Sequence, residues 1–239
     1  MTAMLKSPNR WTPAFLAINL VLLSLLGIAI GASVGSTGFD SVLVALHDEI
    51  AWQIIWDIRL PRSVGACLAG ALLGLAGAIA QGLFRNPLAD PYLLGSASGA
   101  SLGVAVALAL FGGNPFATEF FIRLGLTGAA FVGAVFAVML TIALAQGVHH
   151  TLRLLLAGVI VGVVLGAIAS LITLTRPDVL QGMQGFLLGS TSFIGWSACV
   201  LMLGVLTVCL GAAFFLSRVL DALSLGELTA RSLGVPLVS

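Results

Sequence analysis

The sequence predicts an all-α fold: a polytopic transmembrane bundle of about six spanning helices. Three observations predict it. Hydrophobic residues make up 59% of the 239 residues and charged residues only 8%. A soluble domain carries about 25% charged residues, so no aqueous core could absorb this apolar surface and the solvent is lipid. Six apolar runs reach the roughly 20 residues that cross a ~30 Å hydrocarbon core at 1.5 Å per residue. Small residues recur within these runs at four-residue spacing, the pattern that lets helix backbones approach each other in lipid.

The runs cover about 13–30, 62–84, 92–111, 120–146, 152–174 and 193–217, within one transmembrane domain over 1–239. They are too long, and apolar all round, for the alternating ten-residue strands of a β-barrel. Lys6 and Arg10 precede the first run and Gly31, Ala32 and Ser33 follow it, as in a signal peptide. The run exceeds the usual apolar length of such a peptide and five more follow, so it reads as a span. Between 32 and 60, Trp52 and Trp56 stand four residues apart beside Ile50, Ile54 and Ile55. This suits a short amphipathic helix in the interface, with its indoles at headgroup level.

Three ridges of small residues predict close helix packing: Ala66, Gly70, Gly74 and Ala78; Gly125, Ala129, Gly133 and Ala137; and Gly158, Gly162, Gly166 and Ser170. Cys67, Cys199 and Cys209 fall inside spans without CxxC spacing. They read as small packing residues, and no metal site or cofactor is expected.

With the N-terminus in the cytoplasm, the inner segments hold Lys6, Arg10, Arg85, Arg153, Arg218 and Arg231. The outer ones hold Arg59, Arg62, Arg123 and Arg176 and most of the carboxylates. The positive-inside rule favours this orientation. No span carries a carboxylate at mid-depth, which argues against a proton-driven carrier; sodium coupling through carbonyls stays open. The lone lysine, Lys6, cannot close a GxxxxGK[ST] phosphate loop, so any ATP chemistry belongs to another chain. His149 and His150 are adjacent and make a poor shared metal site. HExxH does not occur, and the chain reads as no enzyme.

Four blocks carry a family resemblance. They are RLPRSVGACLAGALLGLAGAIAQGLFRNPLADPYLLGSASGASLG from Arg59 to Gly103, LRLLLAGVIVG from Leu152 to Gly162, GFLLGSTSFIGW from Gly185 to Trp196, and LSLGELTARSLGVP from Leu223 to Pro236. In this order they resemble the FecCD-type permeases of ATP-binding-cassette importers, which carry iron–siderophores, haem or cobalamin across the bacterial inner membrane. One departure is Phe186-Leu187-Leu188, where the family often has a tryptophan before Gly-Ser.

The resemblance implies a translocation subunit powered by a separate cytoplasmic ATPase. It works with a periplasmic or lipoprotein substrate-binding protein and a second permease copy or paralogue, in membrane lipid and without nucleic acid. The alternative is an ion-coupled secondary transporter. Arg59 and Arg62 match arginines that dock onto acidic side chains of the binding protein, a role suited to bidentate guanidinium pairing; headgroup anchoring is the plainer reading. Asn86 and Leu88, in a loop whose two prolines stop a regular helix, match an inner gate, and His150 and Thr151 a second gate element.

Gly158, Gly162 and Gly166 lie on the helix matching the one that lines the pathway at the dimer interface. Their glycines suit either close packing or a smooth wall. Leu225, Gly226, Glu227, Ala230, Leu233 and Gly234 match the ATPase-coupling helix, over 223–236. There Ser224 and Glu227 are spaced as a capping box. The family has about ten spans, so a six-span chain is expected to be a fragment.

Overall fold

The computed structural model describes residues 12–35, 38–39, 48–112, 120–145, 151–192 and 194–224. The fold is all-α. Helices α1 (Pro13–Ser33), α2 (Glu49–Ile54), α3 (Leu60–Phe84), α4 (Ser96–Phe111), α5 (Phe120–Ala145), α6 (Thr151–Thr175), α7 (Pro177–Leu188) and α8 (Trp196–Ser224) follow in order. Among the described residues the only regular β structure is a two-residue antiparallel ladder, β1 (Val34–Gly35) with β2 (Gly38–Phe39).

Among the described residues, five helical runs are long and apolar enough to cross a membrane: Pro13–Ser33, Glu49–Phe84, Gly125–Ala145, Leu152–Thr175 and Trp196–Ser217. Three differences from the expected spans have local causes. The run expected over 92–111 is helical for only 16 residues, about 24 Å, because Asp90–Gly95 is spent on turns and Gly95 takes φ +78°. The separate interfacial helix expected around Trp52 is instead fused to the following span. Asp48 caps α2, its Oδ1 accepting from the Ile50 N–H at 3.0 Å, and a π-helical turn at Ile55–Arg59 runs on into α3. Residues 177–188, which lie between two expected spans, form α7, with Pro177 in its first turn and Asp178 beside the helix N-terminus, both favourable there.

Two compact units divide the chain, and the division falls within α3 and α8. In the first, Met1–Ala71 with Thr191–Thr207, the end of α1 packs on the π turn. Ala32 and Ile55 form the buried pair, flanked by Ala51 and Leu60, and a Cβ on Gly31 would meet the Ser63 side chain.

In the second unit, Leu72–Ser190 with Val208–Ser239, α4 is the central strut. Val104, Ala105 and Leu108 bury against Ala169 of α6 and Val179 and Met183 of α7. Gly99 and Gly103 pack backbone to backbone with Ala129 and Gly133 of α5. The apolar side chains facing outward, such as Leu22, Leu23, Phe131, Val163 and Phe215, would be untenable in water and match a lipid solvent.

Candidate functional site

The first constellation surrounds the start of α3. Arg59 ends the π turn and Arg62 follows three residues on, with Pro61 between them. The Arg62 Nη2 donates to the Ser192 carbonyl at 2.8 Å. Arg59 is half-buried, with its Nη1 covered by protein. Trp196 donates its indole N–H to the Trp56 carbonyl at 2.9 Å, its ring 5.2 Å from that of Trp56. Trp52 stacks on Trp56 at 6.2 Å and 21°. The Cys199 thiol donates to the Pro61 carbonyl at 3.2 Å, and Ile194 fills the notch left by Gly65. Arg62 is therefore held by the segment leading into α8. A guanidinium has five N–H donors, so Arg62 keeps capacity for an anionic partner beyond its bond to Ser192.

The second constellation is the connection from α3 to α4. Arg85 takes φ +50°, ending α3 in the left-handed region. Asn86 then turns the chain: its Oδ1 accepts from the Leu88 N–H at 2.9 Å, and its carbonyl accepts from the Ala89 N–H at 3.0 Å. Asp90 repeats the device, its Oδ1 accepting from the Tyr92 N–H at 2.7 Å. Such turns suit Asn and Asp before proline. Ala89 is buried, whereas Leu88 is 87% exposed at the tip.

The chain leaves this loop along α6 and α5. The Leu93 carbonyl lies where a Cβ on Gly158 would sit, and Gly95 rests near the backbone at Gly158 and Gly162. The Thr141 hydroxyl, fully buried, donates to the Leu94 carbonyl at 3.0 Å. Gly162 and Gly166 face Ser98 with room for a methyl group, a Cβ there lying 3.7 and 3.6 Å from its Oγ. These three glycines thus face α4 and its approach, while Val159, Ile160 and Val163 on other faces of α6 are exposed.

Asn86 and Leu88 share one loop, and Thr151 is the first residue of α6. His150 and the expected coupling residues Leu225, Gly226, Glu227, Ala230, Leu233 and Gly234 lie outside the described residues. Ser224, expected to cap a separate helix, is the last residue of α8.

A family model described as the FecCD transport family matches residues 18–238. The chain belongs to the FecCD family. Among FecCD relatives, an uncharacterized ABC transporter permease protein, YvrB of Bacillus subtilis, is 39% identical over 201 residues, covering 84% of this chain and 55% of that protein. The ferric enterobactin transport system permease protein FepD of Escherichia coli is 35% identical over 231 residues, covering 93% and 67%. The vitamin B12 import system permease protein BtuC of Escherichia coli is 36% identical over 184 residues, covering 77% and 54%.

A solved structure described as an inward-facing conformation of a metal-chelate type ABC transporter superposes with TM-score 0.77 at 27% identity. It covers 92% of this chain and 68% of the other. The chain spans roughly half to two thirds of the length of these FecCD relatives. It is a multi-pass membrane protein of a family of transport components rather than enzymes.

Motif reading of this FecCD chain missed Ser192 and Trp196 as partners of the first constellation and Thr141 as the buried tie of the second. Trp196 had a signal, since it closes a matched block and begins a helix. Thr141 had none beyond being a hydroxyl within an apolar run.

Proposed function

We propose that this chain is the translocating permease subunit of an ATP-binding-cassette importer of the bacterial inner membrane, with its N-terminus in the cytoplasm. The single observation that carries the reading is the family match over 18–238. A separate ATPase supplies the energy, as the likeness to a permease protein of an ABC transporter implies. The cargo is an iron–siderophore, or haem or cobalamin, by the family's range; FepD and BtuC are named for ferric enterobactin and vitamin B12.

The proposed cycle starts at Arg59 and Arg62, which receive acidic side chains of a substrate-binding protein. Helix α3 joins this mouth to the loop of Asn86 and Leu88, which closes the inner side together with His150 and Thr151. Helix α6, with Gly158, Gly162 and Gly166, belongs to the pathway and to the interface with a second permease copy or paralogue. Leu225, Gly226, Glu227, Ala230, Leu233 and Gly234 transmit closure of the ATPase, so that the helices tilt and access alternates.

Affinity purification of the full-length permease from native membranes is expected to bring down a P-loop ATPase in stoichiometric amount. Purification without any such ATPase overturns the reading. The gate makes a separate prediction. Asn86→Ala removes the acceptor of the Leu88 N–H, a net loss of about 1 kcal/mol. In proteoliposomes with the ATPase it is expected to raise cargo leak about fivefold, whereas Asn86→Asp, which keeps the acceptor, stays tight. Equal leak from both variants would remove the turn from the gate.

A further inference from the structure

The π turn and the proline after it act on the same carbonyl. In an α-helix the Trp56 carbonyl would receive the N–H of residue 60. Here the Leu60 N–H reaches back to the Ile55 carbonyl instead, the wider spacing of a π turn. In that spacing the donor due to Trp56 is residue 61, and Pro61 has no N–H. The oxygen so deprived is the one that accepts the Trp196 indole N–H at 2.9 Å.

We infer that Trp196 is a positioning residue: by capping the Trp56 carbonyl it holds the π register and so sets the direction in which Arg59 and Arg62 leave the helix. This rests on the docking role proposed for the two arginines. A π turn contains one residue more than an α turn. Reversion to α spacing would rotate the preceding segment by about 100° relative to α3, carrying Trp52, Trp56 and Arg59 away from Arg62. The start of α8 resists this at several points. Beyond the Trp196 cap, the Cys199 thiol holds the Pro61 carbonyl, Ile194 occupies the Gly65 notch, and the Ser192 carbonyl holds Arg62. Among these contacts, only the Trp196 cap replaces a hydrogen bond that the turn itself has lost.

The test uses the full-length permease with its ATPase in nanodiscs. Backbone hydrogen exchange over 55–62 and titration with the fluorophore-labelled cognate substrate-binding protein are measured side by side. Trp196→Phe keeps an aromatic ring and loses the donor. It is expected to raise exchange over 55–62 and to weaken binding about fivefold, the net worth of one hydrogen bond. Pro61→Ala restores an N–H at the position due to Trp56, so the double variant P61A/W196F is expected to recover both readouts. A merely structural tryptophan would not be rescued by an alanine at position 61.

If Trp196→Phe fails to insert, benzothienylalanine at position 196 keeps the bicyclic shape without the N–H and serves in its place. Unchanged exchange in the donor-less variant, or no recovery in the double variant, overturns the cap. Raised exchange with unchanged binding overturns the positioning role, provided Arg59→Glu with Arg62→Glu loses binding in the same assay. If that charge-reversed control also binds normally, the docking reading itself falls and takes the positioning role with it.

Discussion

Replacing Arg59 and Arg62 together by glutamate is expected to lower uptake at least roughly hundredfold while the permease inserts and assembles with its ATPase normally. The magnitude follows from two charge-assisted contacts of about 1.5–3 kcal/mol each, with every 1.4 kcal/mol a factor of ten. Reversal adds repulsion to the loss of attraction, which costs more than truncation. Arg62→Glu also sets a carboxylate against the Ser192 carbonyl, where the guanidinium now donates at 2.8 Å.

Two controls separate docking from this local effect. Arg62→Ala removes the tether without reversing charge and is expected to cost far less than the double reversal. Lysine substitutions at the facing acidic positions of the binding protein are expected to restore uptake to the reversed permease. The association rate should fall with added salt in the native pair, as for steered encounters. Normal uptake by the doubly reversed permease would end the docking proposal.

The helices were legible in the sequence because lipid writes a strong, local signal: an apolar run of sufficient length needs no knowledge of its neighbours. Where local chemistry competes with hydropathy, that signal misleads. The Asp90-Pro91 turn and Gly95 shorten the helix expected over 92–111, although every residue from Val104 to Phe111 is apolar or small. Helix α7 escaped notice because twelve residues are too few to span. Yet Pro177, Asp178 and the Val179, Met183, Phe186 spacing form a helix start and an apolar face.

The candidate site divides in the same way. RLPR marks the arginines and NPLADP marks the turn, both within a few residues. What holds them spans 130 residues between Arg62 and Ser192 and 140 between Trp56 and Trp196. No pattern within one segment encodes such partners. The π turn was equally hidden, since its register depends on a tertiary donor.

The second large effect is expected in the small-residue packing, and it is graded by position. Gly158→Ala is expected to destabilise the permease by about 3 kcal/mol and to lower its Tm in detergent by roughly 10 °C. A Cβ there falls on the Leu93 carbonyl, and backbone cannot rotate away as a side-chain tip would. Gly99→Ala and Gly133→Ala should behave alike, because each glycine's Cβ would strike the other's carbonyl.

Gly162→Ala meets the Gly95 Cα and the Ser98 hydroxyl, and Gly166→Ala the Ser98 hydroxyl, all at ordinary contact distance, and both are expected to change Tm by little. Gly128→Ala lies on the same helix as Gly133 with nothing within 4 Å. It should be neutral or slightly stabilising, since alanine is the better helix former by about 1 kcal/mol. Spacing alone would rank Gly158, Gly162 and Gly166 together; the contacts separate them. Equal effects at Gly158, Gly162 and Gly128 would mean that helix propensity rather than backbone approach governs the bundle. It would also detach the Leu93–Gly95 segment, and the Leu88 loop it anchors, from the helix proposed to line the pathway.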